Sequence, residues 1–347
     1  MKFLDYFTKN IGIDLGTANT LIYVAGRGIV VNEPSVVAIN SKTGVVVASG
    51  EEARKMVGRT PSHVNVVRPL TNGVISDFET TQEMLRHFMR TVGTGKLWHY
   101  RRAVVGAPSN LTEVERKSVE DAVVGAGIHK AFIIEESIAA ALGARLPVDE
   151  PTANLIVDIG GGTTEIAVIS MGGTVIAKSL KIAGDRLNED LIRFVRDEFR
   201  LAIGDPTAEE LKVTIGSAIP LEQKMEMTVR GRDLATGLPN EVVVRDAQAR
   251  AAIGKSLKTI TESIKEVIEV TPPELAGDIL RRGIYLCGGG SLLRGIDQYI
   301  SKDLQVAATI VEDPLTCVAR GTGIAVENFD KYIAILHNPF TPREITL

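Results

Sequence analysis

The clearest pattern along the chain is a hairpin that occurs twice. A short apolar run leads into the polar, glycine-containing segment Asp14–Thr20, and another apolar run follows it. The same order recurs around Asp158–Thr164. Each copy predicts a strand, a glycine turn and a second strand. The copies lie much farther apart than the roughly 20–50 residues of a solenoid period, so they indicate duplicated domains. Two similar halves would then face each other across a cleft.

Apolar residues with helical spacing predict several helices between the hairpins. A Thr followed three residues later by Glu, the capping-box signature, precedes three of them: Thr80 with Glu83, Thr112 with Glu115, and Thr207 with Glu210. An amphipathic pattern predicts a long helix from Ala247 to Val270, and Asp313 with Pro314 predicts the start of the last helix. Alternating residues at 225–230 and 241–245 predict a strand pair. This mixture predicts an α/β fold with helices packed on mixed sheets.

Composition narrows the class of protein. The 347 residues are 44% hydrophobic, which gives a prior of two domains and excludes a disordered chain. The net charge of −4, without a long basic run, argues against nucleic acid as a partner. Cys287 and Cys317 alone can form neither a disulfide framework nor a four-ligand zinc site, which fits a reducing cytoplasm. The most apolar stretch, Leu155–Ala177, is broken by charges, so no spanning helix is expected.

A strand that ends in Asp and runs into a glycine turn with hydroxyl or amide side chains suits a phosphate. Glycine lets the backbone approach a ligand closely, and N–H and hydroxyl groups donate to phosphate oxygens. A carboxylate repels phosphate, so the role expected of Asp14 and Asp158 is to hold a divalent cation through water. One such turn is typical of an ordinary hairpin, but two in matching context favour a phosphate clamp.

Other glycine clusters are less specific. The turn Gly288–Leu293 follows a predicted strand and precedes a helix, and by itself it favours a ribose or ring contact and a plain tight turn equally. Gly254–Ser256 resembles the end of a Walker A loop, but Ala249 stands where that motif requires glycine. No dinucleotide-binding fingerprint occurs.

Together, the two hairpins and the late glycine turn resemble the phosphate 1, phosphate 2 and adenosine motifs of the actin, hexokinase and Hsp70 ATPase superfamily. More narrowly, five segments resemble the MreB family of bacterial actin homologues: Ile13–Tyr23, Asn32–Ala38, Val157–Glu165, Thr271–Leu275 and Gly288–Gly295. The resemblance covers nearly the whole chain. It implies an actin-like (ribonuclease H-like) fold of duplicated domains, with mixed sheets flanked by helices and a nucleotide in the central cleft. It also implies four subdomains: IA (1–31, 66–146 and 314–347), IB (32–65), IIA (147–182 and 251–313) and IIB (183–250).

The resemblance implies ATP or ADP with Mg²⁺ as ligands, and it assigns catalytic roles. Glu136 would orient the attacking water, with Thr163 as its partner. Asp14 and Asp158 would organise Mg²⁺ through water. Spacing alone leaves Glu135 open as the alternative to Glu136.

The resemblance also implies a set of nucleotide-binding residues in five segments. They are Gly16, Thr17, Ala18 and Asn19; Gly160, Gly161, Gly162 and Thr163; Gly184 and Asp185; Glu209, Glu210, Leu211 and Lys212; and Gly288, Gly289, Gly290, Ser291 and Leu292. Taken alone, the charges at 209–212 are typical of a solvated helix face. The chain departs from the family at Ser137, where proline is usual, and at Ala183, where glycine is common. The departure at Ser137 bears on the geometry of the attacking water, and the departure at Ala183 bears on the ribose contact.

Two segments predict contact with a membrane. The only tryptophan, Trp98, follows Leu97 among basic residues, a pattern that favours insertion at a lipid surface and a folded-back loop equally. The resemblance favours insertion, since this position is similar to the family's membrane loop. Phe3, Leu4 and Phe7 predict a short amphipathic turn that adds to attachment. A single Leu–Trp pair binds weakly, whereas many copies on a filament bind by avidity.

The implied function is that of an ATP-dependent cytoskeletal filament protein, cytoplasmic and peripheral on the inner face of the cell membrane. It would maintain rod shape by organising cell-wall synthesis, with ATPase activity coupled to polymerisation. Its partners would be further copies in paired protofilaments, the membrane, and cell-wall elongation membrane proteins. The alternatives are a small-molecule kinase, which needs an added base and a sugar pocket, and a chaperone-type ATPase, which needs a peptide-binding region. A filament without hydrolysis is disfavoured by Asp14, Glu136 and Asp158.

Overall fold

The computed structural model of the chain describes residues 8–93 and 99–336. The strands are β1 Thr8–Leu15, β2 Asn19–Val24, β3 Gly28–Pro34, β4 Val37–Asn40, β5 Val46–Ser49, β6 Val64–Val67, β7 Leu70–Thr71, β8 Val74–Ile75, β9 His99–Ala107, β10 Ile128–Glu135, β11 Asn154–Ile159, β12 Thr164–Ser170, β13 Gly173–Leu180, β14 Leu201–Ala202, β15 Glu226–Asp233, β16 Pro239–Arg245, β17 Ile284–Cys287 and β18 Ala308–Ile310. The helices are α1 Glu51–Lys55, α2 Phe78–Val92, α3 Glu113–Gly125, α4 Glu136–Gly143, α5 Gly184–Phe199, α6 Asp205–Ile215, α7 Asp246–Val270, α8 Pro273–Arg282, α9 Ile296–Leu304, α10 Cys317–Glu327 and α11 Phe329–Tyr332. Short 3₁₀ turns span Gly289–Leu292, Pro314–Thr316 and Ile333–Ile335.

The described residues form two compact units. The first comprises 8–93, 99–151, 169–174 and 315–336, and the second comprises 152–168 and 175–314. The finer division into four subdomains stays a prediction.

Both units contain a five-stranded sheet with the same plan. The first sheet has the order β10-β9-β1-β2-β3, and the second has the order β18-β17-β11-β12-β13. The hairpin β1–β2 in the first therefore corresponds to β11–β12 in the second. In each sheet the first hairpin strand has a parallel partner, β9 or β17. The predicted α/β fold with mixed sheets is confirmed, and the duplication is visible as a repeated strand order.

The central strands are apolar because helices cover the sheets. All six residues of β11 are buried, as expected for a strand covered on both faces. In the first unit, Ile11 and Ile13 of β1 share a core with Met84, Leu85 and Phe88 of α2. These cores hold the carboxyl ends of β1 and β11, where the glycine turns begin.

The predicted capping boxes had different outcomes. The box that opens α3 is confirmed, since Thr112 N donates to Glu115 Oε2 (2.8 Å) and Glu115 N donates to Thr112 Oγ1 (3.2 Å). The box predicted at Thr80 with Glu83 is wrong. Asp77 caps α2 instead and accepts from Thr80 N (3.0 Å), because a carboxylate three residues earlier competes for the same N–H.

Two predicted helix starts were displaced. α6 begins at Asp205, with Pro206 in its first turn, and not at Thr207. The last long helix was predicted to begin at Asp313 and Pro314, but it begins at Cys317. The reason is that Asp313 has a left-handed φ of 48° and a 3₁₀ turn precedes Cys317. The long helix α7 and the pair β15–β16 are confirmed. Within the described ranges, no helix is both long and apolar enough to cross a bilayer.

Candidate functional site

The glycine turn of the first unit is held by one serine. Ser35 Oγ donates to Gly16 O (2.7 Å), and Ser35 N donates to Ala18 O (2.9 Å). The hydroxyls of Ser35 and Thr20 also lie 2.9 Å apart, in a fully buried position. Ser35 therefore fixes both carbonyls at the bend of the turn. It lies in the quoted segment Asn32–Ala38, but its pattern alone suggested no role.

The remaining side chains of this turn have local partners. Thr17 Oγ1 accepts from Gly73 N (2.9 Å), and Asn19 Nδ2 donates to Asn32 Oδ1 (3.0 Å). A hydroxyl that accepts one hydrogen bond still has its own hydrogen to donate. Ala18 and Asn19 are exposed, so a ligand can reach this part of the turn.

Two carboxylates lie at the carboxyl ends of parallel strands in the first sheet. Asp14 of β1 and Ile134 of β10 both pair with Gly106 of the intervening β9. Glu136 opens α4 directly after β10 and is only 9% exposed. Its Cγ lies 3.6 Å from the position that a Cβ on Gly106 would occupy. Asp14 and Glu136 therefore flank the end of β9, a typical location for ligand sites in such sheets.

The structure separates the two neighbouring glutamates. Glu135 Oε2 accepts from Thr174 Oγ1 (2.7 Å), so Glu135 has a structural partner within the first unit. Glu136 instead lies beside Gly106. Ser137, where the family usually has proline, is buried, and its hydroxyl has no hydrogen-bond partner among the described residues.

The position of α4 is set by a close contact with α10. A Cβ on Gly143 would overlap Cys317 O, and a Cβ on Gly321 would overlap Ala139 O. The two helices therefore meet backbone to backbone, with no side chain between them at these points. This contact fixes the helix that begins with Glu136.

The second glycine turn is held by backbone groups. Gly160 N donates to Thr163 O (2.9 Å) and closes the turn. Gly184 N and Asp185 N, at the start of α5, donate to Gly160 O (3.1 Å) and Gly161 O (2.8 Å). The first amides of a helix have no partner within the helix, so the turn supplies the acceptors that α5 requires. The phosphate-turn and ribose-side residues predicted in this unit thus lie together.

The carboxylate before this turn is deeply buried. Asp158 is 8% exposed and pairs in register with Cys287 of β17. Burial, together with the nearby charge of Glu165, raises the pKa of Asp158 to about 7, and a hydrogen bond from Cys287 opposes the rise only in part. Asp158 Oδ1 has no hydrogen-bond partner within the described ranges. An orphaned carboxylate oxygen of this kind is suited to a cation or its bound water.

A single Asp precedes each of the two glycine turns, Asp14 in the first unit and Asp158 in the second. No three His, Cys, Asp or Glu side chains of the described residues come together as a ligand cluster. In the second unit, the orphaned Oδ1 of Asp158 could accept a hydrogen bond from a water bound to a cation. Mg²⁺ is commonly held in this way, because it keeps several waters and uses few protein ligands.

A polar network joins α6 to the start of α5. Glu209 Oε2 accepts from Lys212 Nζ and from Asn188 Nδ2, both at 2.8 Å. Lys212 Nζ also donates to Gly184 O (3.0 Å). The predicted adenine-side segment is therefore linked directly to the helix that supports the second turn.

The other two residues of that segment differ in exposure. Glu210 is exposed on α6, so its side chain is accessible. Leu211 has no exposed surface and belongs to the hydrophobic core of the second unit. Its side chain therefore packs inside the unit, and the predicted contact of Leu211 with the nucleotide stays a prediction.

The third glycine cluster lies against the end of β11. Gly288 has a φ of 77°, and a Cβ there would overlap Asp158 Oδ1. A Cβ on Gly290 would overlap the side chain of Ile159. These glycines are required because the two backbones approach closely. The cluster is thus more than a strand-to-helix turn, since it contacts the strand that carries Asp158.

Each unit gathers its own part of the predicted site. The first holds Asp14, the turn 16–19 and Glu136, and the second holds Asp158, the turn 160–163 and the segments 184–185, 209–212 and 288–292. In the last segment Ser291 is buried and donates to Gly288 O (2.7 Å), whereas Leu292 is exposed. The predicted membrane residues Phe3, Leu4, Phe7, Leu97 and Trp98 lie outside the described residues.

Comparisons with known proteins identify a family and relatives of similar sequence and fold. The model of the MreB/Mbl protein family matches residues 8–334. The chain is 45% identical over 325 residues to the cell shape-determining protein Mbl of Bacillus subtilis (strain 168), covering 94% of this chain and 98% of Mbl. It is 45% identical over 336 residues to the cell shape-determining protein MreB of Escherichia coli (strain K12), covering 95% and 97%. The crystal structure of MreB5 of Spiroplasma citri bound to ADP is similar with a TM-score of 0.90 and 40% identity, covering 94% of this chain and 98% of that one.

Proposed function

The chain belongs to the MreB/Mbl family, and from this premise we propose that it is an ATP-dependent filament protein that hydrolyses ATP and supports rod cell shape. The observation that carries the proposal is the repeated Asp–glycine turn at the carboxyl end of a strand, in sheets of the same order. MreB5, which is similar over most of the chain, is bound to ADP in its crystal structure. The names of Mbl and MreB support the role in cell shape.

In this proposal the two turns bind the phosphates of ATP. Thr17 and Asn19 contribute from the first turn, and the glycines and Thr163 contribute from the second. Asp14 and Asp158 hold Mg²⁺ through water, which the orphaned Asp158 Oδ1 supports. Magnesium supplies positive charge that neutralises the phosphates. The segments 184–185, 209–212 and 288–292 bind the ribose and adenine.

Glu136 orients the water that attacks the γ-phosphorus. The new bond forms from the water oxygen to phosphorus while Glu136 accepts a proton from the water. The bond to the β–γ bridging oxygen breaks, and the products are ADP, phosphate and the proton, which passes from Glu136 to solvent. Glu136 is preferred to Glu135 because Glu135 accepts from Thr174, whereas Glu136 lies beside the end of β9 near Asp14. Positioned carboxylates of this kind typically contribute about 10²- to 10⁴-fold to the rate.

Filaments form by a head-to-tail, non-closing contact between copies, and they bind the inner face of the cell membrane as peripheral, cytoplasmic assemblies. Leu97 and Trp98, with Phe3, Leu4 and Phe7, provide the lipid contact. The filament then organises cell-wall elongation proteins in the membrane. Weak lipid binding by each copy is consistent with this arrangement, because polymerisation multiplies it.

Sedimentation with ATP and Mg²⁺, with and without anionic liposomes, tests the proposal. We expect ATP-dependent pelleting, and co-pelleting with liposomes that is lost in the double variant Leu97→Ser/Trp98→Ser. Met171→Ser is the matched control, since Met171 is an exposed apolar side chain elsewhere in the chain. A wild-type protein that stays monomeric in the supernatant at micromolar concentration would contradict the proposal.

A further inference from the structure

The carboxyl end of α6 is capped by an arginine from a distant segment. The last four carbonyls of a helix have no donor within the helix. Arg294 Nη1 donates to Val213 O (2.8 Å) and to Gly216 O (3.2 Å), just past the end of α6 at Ile215. A cation at this end is also favoured by the helix dipole.

The backbone around Arg294 strengthens this attachment. Ala218 N donates to Arg294 O (2.8 Å), and Ser217 pairs with Arg294 in an isolated parallel bridge. A Cβ on Gly216 would lie 3.2 Å from Leu293 Cδ1, so the two segments are also in close contact at the preceding residues. Arg294 therefore fastens the segment after the glycine cluster to the end of α6.

The opposite side of the glycine cluster is fixed by β11. Gly288 and Gly290 lie so close to Asp158 and Ile159 that neither position has room for a Cβ. The turn 288–292 is thus held by the strand of the second phosphate turn on one side and by α6 on the other. Arg294 provides the side-chain part of the second attachment.

From these contacts we infer that Arg294 is a positioning residue for the adenosine part of the nucleotide. It fixes the spacing between the turn 288–292 and α6, the helix that carries Glu209 and Lys212. Arg294 acts through these segments and not as a ligand. The inference rests on the proposed function, because it assumes that these segments bind adenosine.

The guanidinium geometry is important in this role. Nη1 carries two hydrogens in one plane, and each can serve one of the two carbonyls. Lysine keeps the charge but presents a compact ammonium on a different stem. Arg294→Lys should therefore retain only part of the effect, whereas Arg294→Ala should lose it.

The test measures dissociation constants for ATP, GTP and inorganic tripolyphosphate, each with Mg²⁺, by calorimetry on the full chain. Arg294→Ala should bind ATP roughly tenfold more weakly, as expected for the loss of charged hydrogen bonds, while tripolyphosphate binding stays unchanged. The preference of Arg294→Ala for ATP over GTP should also decrease. Arg294→Lys should have an ATP affinity between those of the wild type and Arg294→Ala. Arg230→Ala is the matched control, because Arg230 lies in the same unit but pairs with Glu241 at the surface.

Three results would overturn the inference. The first is wild-type ATP affinity and selectivity in Arg294→Ala. The second is an Arg294→Lys variant that folds normally and binds ATP as weakly as a normally folded Arg294→Ala. Equal losses for ATP and tripolyphosphate would show a general structural role instead. A wild-type protein that binds none of the three compounds would overturn the proposed function itself, which distinguishes the two failures.

Discussion

The two glycine turns share a sequence pattern but differ in how they are held. In the first unit the hydroxyl and amide of Ser35 hold Gly16 and Ala18. In the second, the opening amides of α5 hold Gly160 and Gly161. The first turn therefore depends on the hydroxyl and the backbone amide of one residue, whereas the second depends on a helix terminus. The two units therefore share the hairpin and its strand order but not the contacts that support the turn.

The threonines at equivalent positions show how this difference arises. Thr20 and Thr164 each stand six positions after the Asp of their hairpin. The hydroxyl of Thr20 contacts the hydroxyl of Ser35, while Thr164 Oγ1 donates to Ile182 O (2.7 Å). The same residue thus reaches whichever segment follows the third strand of its sheet.

The largest expected effect concerns the carboxylate of Glu136, which belongs to the first unit. Glu136→Gln should lower ATP hydrolysis by about 10²- to 10⁴-fold while ATP still binds, because the amide cannot accept a proton from water. Phosphate release measures this effect. Glu135→Gln is the matched control and should remain near the wild-type rate, since Glu135 accepts from Thr174. Unchanged ATP hydrolysis in Glu136→Gln would contradict the catalytic role that the proposal gives to this residue of the first unit.

The next effect separates the two aspartates. Asp158→Asn should raise the Tm of the nucleotide-free protein in EDTA by about 3 °C, because it removes a buried carboxylate near Glu165. Asp14→Asn should not raise it, since Asp14 is less buried. Both variants should bind Mg²⁺ with ATP at least about tenfold more weakly. Equal Tm changes, measured by differential scanning fluorimetry, would show that the two carboxylates have equivalent surroundings.

A smaller effect tests the support of the first turn. Ser35→Ala removes the hydrogen bond to Gly16 O from a fully buried position and should cost about 1–3 kcal/mol. The midpoint of urea unfolding should fall accordingly. Ser118→Ala is the control, because Ser118 is only half-buried and its hydroxyl donates to Val114 O within α3, in an exposed hydrogen bond. If the midpoint did not move, the turn would be held by its backbone alone, as in the second unit.

The smallest effect concerns the start of β11. Asp278 Oδ2 accepts from Ala153 N (2.9 Å), and this bond, with Arg281 nearby, holds the pKa of Asp278 below its usual range. The stabilisation is therefore present above the unfolded-state pKa of about 4 and is lost as the pH falls through the lower folded-state pKa.

Asp278→Asn should accordingly lower the Tm slightly at pH 7, and the Tm of the variant should fall less as the pH is lowered. Asp330→Asn, at an exposed aspartate of the first unit, should change neither property. An unchanged acid dependence of Tm in Asp278→Asn would exclude this contribution.

Local patterns predicted the parts of the molecule that depend on neighbouring residues. Both hairpins, the capping box at Thr112 and the helix α7 follow from short-range spacing, and all are present. The box at Thr80 failed because two capping arrangements competed within a few residues, and Asp77 prevailed. The family resemblance assigned Leu211 to the nucleotide, but only tertiary packing determines that its side chain is buried.

The support contacts could not be predicted from the sequence. Ser35 reaches Gly16 across a whole strand pair, and Arg294 reaches Val213 across 81 residues of the sequence. Neither contact has a periodicity or a fixed spacing, because it forms only when distant strands and helices pack. The local pattern therefore predicted the hairpins themselves but not the distant groups that hold their turns.

The backbone contact between α4 and α10 has a genetic consequence. Any substitution at Gly143 or Gly321 adds at least one carbon where a carbonyl already lies, so it must shift the helix that begins with Glu136. Such alleles would retain every residue of the proposed nucleotide site and still lose activity when warmed. A screen for temperature-sensitive growth in a rod-shaped host should therefore recover mutations at these two glycines, neither of which belongs to a glycine turn.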